Sequence, residues 1–104
     1  QVKIDDDDER ESVDTSEVRI LLDDMKNLEK IRVRGLMGIS TPNSNLEKKR
    51  DDFIKLFELY KALKNEGNEI DTLSMGMSDD YKIAIQNGSN MIRIGTLLFG
   101  KRDF

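Results

Sequence analysis

The stretch from Asp71 to Phe104, DTLSMGMSDDYKIAIQNGSNMIRIGTLLFGKRDF, constrains the fold more than any other part of this chain. Two short apolar segments flank one amphipathic segment, and glycines and small polar residues mark the joints. Thr72, Leu73 and Ser74 form a short strand, and Gly76 permits a sharp bend. Ser78 stands where a helix N-cap belongs, with Asp79 and Asp80 in the first turn, where carboxylates suit the positive helix end. Ile83 and Ala84 share one face of that helix, and Gly88 stops it. Met91, Ile92, Arg93 and Ile94 then form a second strand, ended by Gly95 and Thr96.

The same alternation runs through the upstream residues. Gln1 to Ile4 reads as a strand with Val2 and Ile4 on one side. Asp14-Thr15-Ser16-Glu17 opens a helix whose apolar stripe is Val18, Leu21, Leu22, Met25 and Leu28. Ile31 to Met37 is a strand, and the turn formers Ser40 to Ser44 make a loop at its C-terminal end, where α/β folds place ligand loops. Asn45 to Glu66 is the longest helix, buried through Leu46, Phe53, Leu56, Phe57, Tyr60 and Leu63, and Gly67 ends it. Right-handed crossovers make neighbouring strands parallel. A closed eight-stranded barrel takes about 250 residues. The 104 residues present are therefore expected to form a single α/β domain over 1–104, with parallel strand–helix repeats making about half of a TIM-type (β/α)8 barrel.

Composition removes several classes of chemistry. There is no cysteine and no histidine, which excludes disulfides, thiolate chemistry, cysteine zinc sites and the commonest general base. The net charge of −4 argues against nucleic acid as a partner. The absence of a long apolar run or a leader-like segment argues against a membrane and points to a cytoplasmic protein. Asp5 to Asp8 are four consecutive carboxylates, but calcium loops alternate ligands with spacers and carry a turn glycine. A solvated, self-repelling loop is expected there, and no metal.

Two features carry chemistry. Backbone amides beside the Ser78 hydroxyl, and those of Gly95 and Thr96 with a second hydroxyl, are suited to a phosphate, although an ordinary cap and loop explain them too. Arg93 inside an apolar strand calls for a partner, since arginine is rarely buried without one. The acids otherwise sit on solvent-facing helices and the first loop, so no general acid–base pair is visible.

The ordered runs LSMGMSDD, GSNMIRIGT and FGKRDF, preceded by RVRGLMGISTP at Arg32 to Pro42, resemble the C-terminal end of the pyridoxal phosphate homeostasis (YggS/PROSC-like) family. Those proteins are similar to the N-terminal barrel of alanine racemase. The resemblance implies pyridoxal 5′-phosphate as cofactor, with Ser78, Gly95 and Thr96 at its phosphate and Arg93 beside the pyridine nitrogen. It places Met37 near the ring, and Met77 completes the cofactor-binding set. The family's Schiff-base lysine belongs to the front half of the barrel, so binding by this chain is expected to be non-covalent at most, or limited to phosphate or sulfate. The implied function is pyridoxal phosphate homeostasis without catalysis. The alternative is a structural half-barrel whose activity is self-association. The expected partner is a second copy, as a homodimer, or the missing N-terminal half. The first dozen residues depart from the family: Lys3 stands where relatives usually carry Asn, and Arg10-Glu11-Ser12 where they carry Lys-Ser-Gly.

Overall fold

The structure, a computed structural model, describes residues 1–4 and 11–100. The chain order is β1 (Val2–Lys3), β2 (Val13–Asp14), a 3-10 turn (Thr15–Glu17), α1 (Val18–Met25), β3 (Gly35–Met37), α2 (Leu46–Asn65), β4 (Thr72–Ser74), α3 (Tyr81–Gln86) and α4 (Thr96–Phe99). The Asp5 to Asp8 run, Arg10 and the end of FGKRDF lie outside the described residues.

Among the described residues every strand pairing is parallel. β1 lies beside β2 with Val2 opposite Val13, and β3 lies beside β4 with Leu36 opposite Leu73. A single parallel bridge joins Ser74 to Met91, which adds the segment after α3 to the far side of β4. The result is an open arrangement of parallel strands and helices, part of a (β/α) barrel, as the alternating sequence implies. β3 and β4 approach closely because position 35 is glycine: a Cβ there would stand 1.7 Å from the Thr72 carbonyl oxygen.

α2 supplies more of the core than any other element. Phe53, Leu56 and Leu63 are fully buried, and they pack with Leu73 and Met75 of β4 and its following turn. Val18 and Leu22 of α1 join them, as do Val2 and Ile4, so both apolar residues of the first strand are buried as their alternation predicts. Asn45 caps α2, its side-chain oxygen accepting from the Lys48 amide at 2.8 Å.

Several expected boundaries move. α1 stops at Met25 instead of reaching Leu28, and Leu21 and Leu28 are exposed. The strand expected from Ile31 begins only at Gly35, because pairing starts where the Arg34 carbonyl accepts the Asp71 and Thr72 amides. Met91 to Ile94 is docked rather than laddered: among these residues, only Met91 bridges to β4. The reason is Asn90, whose side chain acts as a neighbouring strand. Its Oδ1 accepts the Leu73 amide at 2.8 Å and its Nδ2 donates to the Asp71 carbonyl at 2.7 Å. The Ser89 hydroxyl adds a 2.6 Å bond to the Met75 carbonyl. Beyond them the Met75 amide donates to Met91 and the Arg93 amide to Gly76.

Candidate functional site

Parallel strands deliver their following loops to one end, and in this chain three such loops meet. They are the segment after β3 (38–45), the turn after β4 (75–80) and the residues after Met91. Met77, Ser78, Asp79, Arg93, Gly95, Thr96, Phe99 and Gly100 line one open cavity of about 610 Å³ there. Five of the six residues implied by resemblance are among them. Met37 is the exception; it sits half-buried at the end of β3, outside the cavity wall.

Ser78 is not the cap of α3. That helix starts at Tyr81 with Asp80 before it, and Ser78 lies in the preceding turn. Its hydroxyl oxygen instead accepts the Leu97 amide at 3.0 Å, which ties the turn after β4 to the start of α4. A hydroxyl that accepts one bond still has a proton to donate. Helix α4 is a single turn, so individual amides and hydroxyls, not a helix dipole, give the cavity its donors.

Arg93 is half-buried and reaches across the strand ends, its Nη2 donating to the Gly38 carbonyl at 2.9 Å. The guanidinium is thereby held on the loop after β3 while its backbone hangs from Gly76. One wall of the cavity is thus cationic, and Asp79 stands on the opposite sign.

A polar network lies under this rim. The Ser40 hydroxyl donates to Asp80 Oδ2 at 2.6 Å, and Asp80 Oδ1 accepts the Met77 amide at 2.8 Å. Lys49 Nζ donates to Ser40 Oγ at 3.3 Å and lies 3.5 Å from Asp79 and 3.7 Å from Asp80. Next to it Asp52 accepts from both the amide and the hydroxyl of Thr41, and pairs with Lys48 at 3.0 Å. Ser40, Lys49, Asp52 and Asp80 are all buried, so the acids are not confined to solvent-facing surfaces. One sequence signal does mark Lys49: it falls between Leu46 and Phe53 at the three- and four-residue spacing of the buried face of α2.

The shifted titrations lie elsewhere. Arg34 grips Asp71 at the opposite, N-terminal end of β3 and β4 and lowers its carboxyl to about 2. A smaller cavity of about 310 Å³, lined by Leu22, Ile31, Val33 and Ile70 among others, opens at that same far end. Among the described residues no group of acids could hold a metal ion, and no helix is long and apolar enough to cross a membrane.

Known proteins match this chain from end to end. A match to the family described as "Alanine racemase, N-terminal domain" covers residues 1–103. The pyridoxal phosphate homeostasis protein of Haemophilus influenzae is 40% identical over 106 residues, covering all of this chain and 45% of that protein. The structure of PipY from Synechococcus elongatus without pyridoxal phosphate superposes with a TM-score of 0.87 at 30% identity, over 96% of this chain and 47% of PipY. PipY with pyridoxal phosphate bound gives 0.80 at 29% identity, over 88% and 44%. The chain spans about 45% of the length of the curated relatives it matches. With its parallel open barrel segment and a match running from residue 1 to 103, the chain belongs to the alanine racemase N-terminal domain family and is homologous to the pyridoxal phosphate homeostasis proteins.

Proposed function

We propose that this chain forms the phosphate-side wall of a pyridoxal 5′-phosphate site and serves binding or homeostasis of that cofactor, with no reaction of its own. The observation that carries the proposal is the gathering of Met77, Ser78, Arg93, Gly95 and Thr96 around one cavity from two separate loops. Support comes from the relatives named for pyridoxal phosphate homeostasis and from the likeness to PipY with the cofactor bound.

The residues fit such a group chemically. Ser78 and Thr96 bring hydroxyls, and the short turns after β4 and at Gly95 let backbone amides approach an anion. Arg93, steadied by Gly38, offers a cation to the ring edge. A fixed cation beside a pyridine nitrogen disfavours its protonation. Pyridoxal phosphate supplies, when bound, an aldehyde and an electron-accepting ring; the residues described here bind and orient it.

Titration with pyridoxine 5′-phosphate tests this, because that analogue has no aldehyde and cannot add to surface lysines. One saturable site is expected, weakened about tenfold by Ser78→Ala or Thr96→Val, the scale of one hydrogen bond to a charged group. Absence of saturable binding, or variants that bind as the parent does, would contradict the proposal.

Met91, Leu97, Leu98 and Phe99 are exposed, Phe99 at 82%. Burying apolar surface of this kind favours association at about 25 cal/mol per Å². We infer that a further barrel segment covers it, either from the remainder of a longer chain or from a second copy. Sedimentation at micromolar concentration decides about the copy: a dimer supports it, and a clean 12.0 kDa species contradicts it.

A further inference from the structure

Ser40, Lys49 and Asp80, buried below the cavity rim, do not line the cavity and make none of the contacts assigned to the cofactor. We infer that Asp80, Ser40 and Lys49 are positioning residues for the proposed phosphate site: Asp80 and Ser40 lock its turn in place, and Lys49 cancels the acids beside it. The inference rests on the reading of that cavity as an anion site.

The locking follows from the bonds. Asp80 uses one carboxylate oxygen on the Met77 amide and the other on the Ser40 hydroxyl. Met77 and Ser78 belong to the turn after β4, and Ser40 to the loop after β3. One buried carboxylate therefore joins the two loops, and the cavity wall moves with it. Arg93 makes a second link to the loop after β3 through Gly38, so both sides of the cavity are referenced to the same loop.

Asp79 lines the cavity and Asp80 lies directly behind it, an arrangement that repels a phosphate. Lys49, with a side chain only 10% exposed, lies within 4 Å of both carboxylates. Asp52 also belongs to this part of α2, but Lys48 and Thr41 occupy it. Removing the Lys49 charge leaves Asp79 at the cavity wall and Asp80 buried beside it uncompensated by that cation, and in a partly buried site their repulsion of an anion is poorly screened.

The test reads pyridoxine 5′-phosphate affinity together with amide exchange in the parent, Lys49→Met, Asp80→Asn, the double variant and Ser40→Ala. Lys49→Met is expected to weaken binding about tenfold, the scale of one charge acting over about 12 Å at an effective dielectric of about 20. Adding Asp80→Asn to Lys49→Met is expected to restore part of that loss, because it removes one uncompensated carboxylate. A role limited to holding the fold predicts the reverse, with losses that add or worsen. Ser40→Ala, which leaves the Met77–Asp80 bond intact, is expected to speed exchange of the Met77 amide about tenfold by freeing that turn to open. Lys49→Met binding as the parent does, or a double variant weaker than Lys49→Met, overturns the charge role. Unchanged Met77 exchange in Ser40→Ala overturns the lock. If the parent itself binds no pyridoxine 5′-phosphate, the cofactor reading fails, and Met77 exchange still decides whether the lock exists.

Discussion

Asn90→Ala is the substitution that most sharply separates a docked segment from a strand. The Asn90 side chain takes the Leu73 amide at 2.8 Å and gives to the Asp71 carbonyl at 2.7 Å, closing the edge of β4 that faces away from β3. Alanine removes both bonds and leaves the amide of Leu73, a residue with no exposed surface, facing a methyl group. Losing a typical hydrogen bond costs about 1 kcal/mol, and stranding a buried donor costs about 1–3 kcal/mol. The Asn90 side chain is near solvent, so water can replace part of the loss, and about 2 kcal/mol is expected. For a domain of this size that lowers the melting temperature by about 10 °C. Thermal unfolding followed by far-ultraviolet circular dichroism measures it, and exchange of the Leu73 amide locates it. A shift under 2 °C with an unchanged Leu73 amide would refute the idea that this side chain substitutes for a strand neighbour.

Three further outcomes are expected. Gly88 has φ of +106°, and a Cβ there would lie 2.2 Å from the Phe57 ring, so Gly88→Ala should destabilise by about 2 kcal/mol or more in urea titrations. Asp71, drawn down to about 2 by Arg34, adds stability that is complete above its unfolded value near 4 and lost as pH falls through about 2. Arg34→Gln should therefore flatten the acid limb of a stability-against-pH curve between about pH 4 and 2, and an unaltered limb would contradict the pairing. Lys3 projects from β1 on the side opposite buried Val2 and Ile4 and lies 3.9 Å from Asp14. Borohydride reduction after exposure to pyridoxal phosphate is expected to mark several lysines weakly, and peptide mapping that finds one dominant, saturable lysine would overturn that.

The parallel order of strands, the extent of α2 and its buried residues Phe53, Leu56, Tyr60 and Leu63 were legible because each follows from local spacing; Leu46, expected on the same face, is exposed at the first turn of the helix. The extent of the strands was not. Ile31 to Arg34 have strand-forming side chains, but pairing depends on where the Arg34 carbonyl meets the turn into β4. The Met91 to Ile94 segment reads as a strand for the same reason, while the polar pair Ser89-Asn90 before it does the bonding that a ladder would otherwise do. At the site, Ser78 looks like a cap in sequence, yet α3 starts three residues later and the hydroxyl turns to Leu97. Lys49 and Asp52 look like ordinary charged residues of a solvated helix. Only tertiary packing against the loops after β3 and β4 shows them buried and bonded.

We propose that one cavity, between the turn after β4 and the residues after Met91, receives the phosphate of the cofactor. Titration of the isotopically labelled chain with pyridoxine 5′-phosphate, followed by amide nuclear magnetic resonance, tests it most directly. Saturable shifts are expected to concentrate at Met77, Ser78, Asp79, Gly95 and Thr96, with matching midpoints. Shifts that scatter over the surface, or that leave those five amides where they were, would contradict it.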